Sequence, residues 1–149
     1  MKNHKNCLVC DRIKLIKENK NPYFVKEMET GYVVIGDYQF YKGYTLFLCK
    51  EHKKELHELK PNFRKKFLEE MSEVAKVVFE AFKPEKLNYE LLGNTDEHMH
   101  WHLIPRYKND PRPETAIWAI DKKIRCNEKT RIKSKEIENF KKLLADKLK

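Results

Sequence analysis

Residues 98 to 107 read HMHWHLIPRY, and this one segment holds three of the six histidines of the chain at alternate positions. These are His98, His100 and His102. Side chains of a β-strand point to opposite faces with a period of two, so the histidines share one face while Met99, Trp101 and Leu103 share the other. A one-residue change of register would move three imidazoles into the apolar interior. The segment therefore predicts a strand that buries its apolar face and directs a row of imidazoles outward.

Four further runs have the composition of β-strands, because they are rich in β-branched and aromatic residues. They are YFVKEM at 23–28, YVVIG at 32–36, YTLFLC at 44–49 and YELLGN at 89–94. A turn near 94–96 separates the last run from the histidine segment, and the polar, proline-containing stretch after Pro105 predicts a surface loop. Together the runs predict an antiparallel sheet of about five strands.

Helical periodicity is present in three places. Between Pro61 and Pro84 the apolar residues fall at steps of three and four, which predicts a long amphipathic helix. A short helix near the N-terminus carries Ile13 and Ile16 on one side, and Ser134 is a candidate N-cap of a last helix. The apolar stripe of that last helix is Ile137, Phe140, Leu144 and Leu148. The pattern predicts an α+β fold with the long helix packed on the sheet and a C-terminal helix.

The length of 149 residues is that of one domain. The N-terminus has no signal-peptide pattern, and no run approaches the roughly 18 apolar residues of a membrane span. We therefore expect a cytoplasmic protein without a membrane partner. Its four cysteines, at positions 7, 10, 49 and 126, are expected to be thiols rather than disulfides.

The net charge of +9 is concentrated at the C-terminal end, where residues 122–149 hold 11 Lys or Arg against four Asp or Glu. Such a segment is typical of a solvated helix face or a flexible end, and it would also raise the local concentration of a polyanionic substrate. A zinc module that binds nucleic acid through this segment is disfavoured. The aromatic residues lie mainly in predicted strands and core helices, and the chain has only one CxxC pair.

Imidazoles in a row have two chemical uses. A neutral ring is a nucleophile that can attack phosphorus and form a covalent intermediate, and it is also a zinc ligand. A single histidine on a sheet is usually only a polar surface residue, and that interpretation suits His57. Three histidines in register, followed at once by an apolar strand end, favour a functional groove.

Four segments together resemble the histidine triad family. His98–Ile104 alternates histidines with hydrophobic residues and ends in two more, and residues 42–52 (KGYTLFLCKEH) are similar to the glycine-led strand that ends in lysine and histidine. Residues 87–107 are similar to the paired strands that hold the family's active site, and CLVC at 7–10 is similar to the cysteine pair of its zinc-bearing bacterial members. The resemblance covers roughly residues 7–120 and is nearest to bacterial diadenosine polyphosphate hydrolase-like members.

The resemblance implies a histidine triad domain over residues 1–121, with 122–149 as a basic helical extension of the same domain. It also implies cleavage of a nucleotide at the α-phosphorus. His100 would be the nucleophile, with its other ring nitrogen donating to a backbone carbonyl, and His102 would donate to a non-bridging phosphate oxygen. Asn94 and Thr95 occupy the turn where the family places polar side chains against the phosphate or the leaving oxygen. The alternative is that both are ordinary turn residues.

In zinc-bearing relatives the first triad histidine joins the cysteine pair and the histidine that follows the glycine-led strand. The resemblance therefore implies a zinc site, and its ligands here would be Cys7, Cys10, His52 and His98. Two thiolates and two imidazoles make a closed tetrahedral site, which is structural. The alternative is that the two cysteines are simply buried thiols. Cys49 and Cys126 are expected to be ordinary thiols.

Three residues leave alternatives open. Asp96 and Glu97 depart from the small or uncharged residues that relatives often have before the triad. A carboxylate at Asp96 would repel a phosphate, or orient a zinc-bound histidine by a hydrogen bond, or simply lie in the turn. Trp118 would either reach a neighbouring nucleotide site or pack within its own subunit, and we favour packing.

Two hypotheses for the function follow from the resemblance. The first is an enzyme that hydrolyses a dinucleoside polyphosphate or similar nucleotide conjugate through a nucleotidyl-His100 intermediate, with Mg²⁺ carried by the substrate phosphates. The second is a zinc-stabilised nucleotide-binding or regulatory protein with little turnover. Family members are commonly homodimers whose sheets join edge to edge, so a homodimer is expected here.

Overall fold

The computed structural model describes residues 6–149, so residues 1–5 of the predicted domain lie outside the described residues. The strands are β1 (Phe24–Glu27), β2 (Gly31–Ile35), β3 (Thr45–Cys49), β4 (Lys86–Glu90) and β5 (His100–Arg106). The helices are α1 (Leu8–Lys17), α2 (Pro61–Phe82), α3 (Lys122–Arg125) and α4 (Ser134–Ala145), and two 3-10 turns lie at Leu56–Glu58 and Ile117–Ala119. The predicted α+β class, the five strands, the long helix and the C-terminal helix are confirmed.

The five strands form one sheet in the order β1-β2-β3-β5-β4. All neighbouring strands are antiparallel. In the central pairing Leu46 lies opposite His102 and Leu48 lies opposite His100. Strands β1 and β4 are the two edges, and β5 lies between β3 and β4, so the histidine segment is held on both sides.

One face of the sheet packs against α2 and α4. Phe67, Val74 and Val78 of α2 are fully buried there with Phe47 of β3 and Leu103 of β5. Each such side chain contributes roughly 1.5–3 kcal/mol when it is removed from water. The predicted apolar stripe of the last helix joins the same core and closes it from the C-terminal side.

The other face packs against the short helix α1. Val9, Ile13 and Ile16 contact Tyr32 and Val34 of β2, together with Leu48 of β3. A helix of ten residues covers only part of a five-stranded sheet. The remainder of this face, over β3 and β5, stays open to the loop that follows β5.

The structure differs from the sequence predictions in local boundaries. Strand β4 begins at Lys86 and ends at Glu90, earlier than the predicted run at 89–94, because Leu87 is buried and pairs with Pro105 of β5. Strand β5 begins at His100, so His98 lies in a bend before it. Ser134 is the first helical residue of α4 rather than its N-cap.

The basic C-terminal segment contacts the sheet and helix α2. Tyr38 and Arg131 form an isolated antiparallel bridge, and the guanidinium of Arg131 lies 4.7 Å from the centroid of the Tyr38 ring. Helix α4 contacts β1, β2 and α2. No helix within residues 6–149 has the length and apolar character needed to cross a membrane.

Candidate functional site

His100 and His102 lie on the face of the sheet opposite α2. They pair with Leu48 and Leu46 of β3, and directly opposed residues of an antiparallel sheet project to the same side. Leu103, the next residue along β5, packs in the core with α2. The predicted division of this strand into an imidazole face and a core face is therefore present.

The imidazole of His100 is held by its own backbone. Its Nδ1 lies 2.6 Å from the carbonyl oxygen of His98, and since a carbonyl can only accept, Nδ1 carries the proton. The lone pair then resides on Nε2, for which residues 6–149 provide no hydrogen-bond partner. This is the tautomer that a nucleophilic imidazole requires.

His102 is held by a residue at the start of the neighbouring strand. The hydroxyl of Tyr44 lies 2.6 Å from Nδ1 of His102. Burial, and to a lesser degree the charges of His100 and Arg125, lower the pKa of His102 to about 3, so this ring is neutral at physiological pH. Burial raises the pKa of Tyr44 above its ordinary value.

We assign the Tyr44 hydroxyl as the donor in this hydrogen bond, because a phenol is a stronger acid than a neutral imidazole N–H. The proton of His102 then resides on Nε2. His102 therefore presents a donor beside the lone pair that His100 presents, and the two ring centroids are 4.7 Å apart.

A cavity of about 240 Å³ lies over the two histidines. Alternate apolar side chains of β2 and β3 form its floor, and these are Val34, Leu46 and Leu48. Helix α1 forms one wall through Leu8, Val9 and Arg12. The apolar floor suits a flat hydrophobic ring, and the histidines at its edge suit an anionic group.

The opposite wall comes from the chain after β5. The indole of Trp118 stands edge-on to His102, with 5.1 Å between ring centroids, and its Nε1–H donates to the carboxylate of Glu90. The guanidinium of Arg125 lies over the same indole, 4.8 Å from its centroid. Trp118 thus contacts its own chain, and these contacts place the indole at the cavity.

Four charged side chains border the cavity. Arg12 and Asp37 compensate each other in a bidentate pair with N–O distances of 2.8 and 2.6 Å. Arg125 and Asp96 also line the cavity, and neither has a salt bridge within the part of the chain that the structure describes. The cavity therefore contains one cation and one carboxylate without charged partners in residues 6–149.

The four residues predicted to bind zinc lie together, and we call them the Cys–His cluster. The Sγ of Cys10 is 3.3 Å from Nδ1 of His52 and 3.4 Å from Nδ1 of His98, and the Sγ of Cys7 is 3.6 Å from Nδ1 of His98. All four ligand atoms lie within 4.8 Å of one another. A tetrahedral Zn²⁺ with ordinary bond lengths separates sulfur and nitrogen ligands by about 3.5 Å, which matches.

The surroundings of the Cys–His cluster also fit a metal ion. Nε2 of His98 lies 2.7 Å from the carbonyl oxygen of Cys49, so it carries the proton and Nδ1 directs its lone pair at the thiols. Burial and the neighbouring Cys7 raise the pKa of Cys10 to about 12. Cys10 would therefore ionise at neutral pH only when a cation displaces its proton. Four protein ligands leave no position for water, which is the arrangement of a structural site.

The turn before the triad divides between the two sites. Asn94 and Thr95, the predicted phosphate-binding pair, are both exposed, and Thr95 borders a depression beside the Cys–His cluster. Asp96 is the member of this turn that lines the cavity. Glu97 points to solvent, where it pairs with Lys54 at 2.6 Å.

Sequence reasoning missed two residues at the cavity. Tyr44, Leu46 and Leu48 occupy alternate positions, and alternate residues of a strand share a face. This spacing could have predicted that Tyr44 lies on the histidine face. Arg125 has no local signal, because its position depends on residues 107–125 folding back over the sheet. Its neighbour Cys126, expected to be an ordinary thiol, also lines the cavity and accepts a hydrogen bond from Arg125 at 3.5 Å.

Comparison with known proteins identifies similar chains. The family model of the HIT domain matches residues 18–109. The protein named Protein hit from Bacillus subtilis (strain 168) is 29% identical over 107 residues, which cover 68% of this chain and 72% of that protein. The histidines of the cavity and those of the Cys–His cluster therefore lie within a sequence segment that other proteins share.

Solved structures share the fold. A histidine triad protein from Bradyrhizobium japonicum has a TM-score of 0.74 at 21% identity, covering 90% of this chain and 94% of that one. A Zn-bound histidine triad family protein from Mycobacterium smegmatis has a TM-score of 0.65 at 19% identity, covering 96% and 93%. A HIT family protein from Bacillus anthracis has a TM-score of 0.61 at 26% identity, covering 97% and 99%.

Proposed function

The chain belongs to the HIT domain family, and from this premise we propose that it hydrolyses a dinucleoside polyphosphate or related nucleotide conjugate through a covalent intermediate on His100. Members of the family are generally nucleotide hydrolases or transferases. One observation carries the proposal. Two imidazoles lie at the same cavity, and the hydrogen bonds to their Nδ1 atoms leave a lone pair on His100 and a donor on His102.

Substrate binding divides between the floor of the cavity and its histidine edge. The nucleobase would lie on the apolar floor formed by β2 and β3, between α1 and Trp118. The α-phosphate would then lie at His100 and His102. The burial of His102, only 7% exposed, strengthens its hydrogen bond to a phosphate oxygen because little water competes for the donor.

In the first step Nε2 of His100 attacks the α-phosphorus. A P–N bond forms, the P–O bond to the leaving group breaks, and the leaving oxygen keeps the electron pair. Phosphorylated His100 becomes an imidazolium, and its Nδ1–H donates to the carbonyl of His98, which stabilises the positive charge. Nε2–H of His102 donates to a non-bridging oxygen while negative charge redistributes.

In the second step water attacks the same phosphorus. The P–N bond breaks, its electron pair returns to Nε2 of His100, and a proton from the water is released to solvent. The product is a nucleoside monophosphate and the neutral enzyme is restored. Zn²⁺, held by Cys7, Cys10, His52 and His98, would tie α1 to the sheet and supply no chemistry to either step. Mg²⁺ would arrive with the substrate phosphates.

The proposal is tested by trapping the intermediate. Quenching a single turnover with denaturant at alkaline pH, where a P–N bond survives, should leave label covalently bound to the wild-type protein when the nucleotide conjugate is labelled in the nucleoside. The adduct should be lost in His100→Ala and kept in His57→Ala, which removes an exposed histidine outside the cavity. An adduct that survives in His100→Ala would contradict the assignment of the nucleophile.

A nucleotide-binding protein with little turnover is the second candidate, because the cavity could hold a nucleotide whether or not His100 attacks it. The carboxylate of Asp96 lines the cavity without a salt bridge in residues 6–149, and like charge would oppose the entry of a polyphosphate in either case. Binding of the conjugate without any adduct would support this candidate.

A homodimer joined at a sheet edge and a cytoplasmic location remain predictions. Exposed Tyr89 and Leu92, in and just after edge strand β4, are consistent with the homodimer, which sedimentation equilibrium tests.

A further inference from the structure

Arg125 is fixed at the wall of the cavity by the segment that carries it. Its Nε–H donates to the carbonyl of Ile120 at 3.2 Å, its Nη1 donates to Cys126 at 3.5 Å, and its plane lies over Trp118. These hydrogen bonds occupy Nε and one N–H of Nη1. Its Nη2 has no hydrogen-bond partner among residues 6–149, so a pair of donors remains available.

The position of Arg125 follows from a chain of ring contacts. The centroids of His100 and His102 are 4.7 Å apart, those of His102 and Trp118 are 5.1 Å apart, and the Arg125 guanidinium lies 4.8 Å beyond Trp118. The positive charge is also felt at His102, whose pKa it helps to lower. Arg125 thus lies one indole beyond the histidine that is proposed to contact the α-phosphate.

The second cation at the cavity does not have this freedom. Arg12 is engaged by both oxygens of Asp37, so its charge is already compensated. Lys122 and Lys123, which precede Arg125 in α3, are exposed and do not line the cavity. Within residues 6–149, Arg125 is the cavity cation that an anionic ligand could engage without first breaking a salt bridge.

We propose, on the basis of the function proposed above, that Arg125 binds the polyphosphate leaving group and so determines which nucleotide conjugates the enzyme prefers. A guanidinium binds phosphate oxygens in a bidentate manner. When the P–O bond breaks, negative charge grows on the oxygen that departs with the polyphosphate, so a cation held near it stabilises the transition state. A leaving group without phosphates gains nothing from this residue.

The test compares two substrates that share the adenylyl group and differ in what leaves. For Arg125→Gln, kcat/KM for diadenosine tetraphosphate should fall by about 10- to 100-fold, the range expected for a lost charged hydrogen bond. For adenosine 5′-phosphoramidate, which releases ammonia, it should change by less than about 2-fold. Arg125→Lys should recover only part of the loss, because an ammonium lacks the planar fork. Lys123→Gln makes the same charge change in the same helix and should leave both substrates unaffected.

Two kinetic results would overturn the inference. An equal loss for both substrates would mean that Arg125 only supports Trp118 and the cavity wall, and an unchanged kcat/KM for the tetraphosphate would mean that it does not contact the leaving group. If the wild-type protein hydrolyses neither substrate, the proposed hydrolase function is contradicted, and the inference about Arg125 is then tested by measuring binding. The ratio of Kd for AMP to Kd for diadenosine tetraphosphate should then fall in Arg125→Gln, and an unchanged ratio overturns the inference.

Discussion

His98 and His100 lie two residues apart on the same side of the sheet, but their rings are oriented in opposite ways. In the Cys–His cluster, Nε2 of His98 is held by the carbonyl of Cys49 and Nδ1 faces the thiols. In the cavity, Nδ1 of His100 is held by the carbonyl of His98 and Nε2 is left without a protein partner in residues 6–149. The same residue type thus serves as a candidate ligand at one position and a candidate nucleophile at the next.

The difference teaches that the backbone carbonyl selects which ring nitrogen is available. The surroundings of the ring decide which groups that nitrogen can contact. His98 is 1% exposed and contacts Cys7 and Cys10, whereas His100 borders an open cavity. The two sites also share one residue, because His98 supplies its side chain to the Cys–His cluster and its backbone carbonyl to the hydrogen bond with His100. Each of the following variants perturbs one of the two sites.

The largest effect is expected from His100→Ala. Removing the nucleophile should lower kcat for a nucleotide conjugate by about 10⁴-fold or more, since the covalent route is lost. The metal content should stay at the wild-type value, because His100 contributes no ligand to the Cys–His cluster, while the melting temperature should fall modestly because a buried, hydrogen-bonded ring is removed. Steady-state kinetics, thermal melting and elemental analysis measure the three quantities. A variant that loses metal would show that the two sites cannot be separated.

Cys10→Ser addresses the other site. It removes a ligand within 3.4 Å of both cluster histidines, so bound zinc should be lost and the free energy of unfolding should fall by about 3 kcal/mol or more. A chelator should lower the melting temperature of the wild type to that of the variant and leave the variant unchanged. Cys126→Ser, a thiol outside the cluster, should keep its zinc. If Cys10→Ser retained full zinc and stability, the cysteines would be merely buried thiols.

The smallest effect concerns acid sensitivity of the cavity. The pKa of His102 falls from 6.5 to about 3 on folding. Below pH 6.5 this histidine therefore binds a proton in the unfolded chain but not in the folded protein. The associated stability is present above pH 6.5 and is lost progressively as the pH falls towards 3. The loss between pH 7 and pH 5 should be about 2 kcal/mol in the wild type and absent in His102→Gln.

Denaturant unfolding at several pH values measures this difference. The Cys–His cluster is the same in both proteins, so its own titration cancels when the two curves are subtracted. Parallel stability curves for wild type and His102→Gln would show that His102 is not the group that resists protonation.

Much of the architecture could be predicted because it depends on local periodicity. Alternation of His98, His100 and His102 with apolar residues set the faces of β5, and the spacing between Pro61 and Pro84 set the length of α2 almost to the residue. Strand β4 begins earlier than predicted because Leu87 pairs with a buried residue of β5. The run YELLGN, on which the prediction was based, does not include Leu87.

The sequence by itself determined the order of strands and helices, the imidazole face and the set of four cluster residues, since these follow from periodicity and from the motifs that the family shares. Tertiary structure decided which nitrogen of each imidazole is held, because the partners are the carbonyl of Cys49, the carbonyl of His98 and the hydroxyl of Tyr44. It also brought Trp118 and Arg125 to the cavity. Those positions depend on how a loop and a short helix fold back over the sheet, and contacts between distant segments leave no periodic signal in the chain.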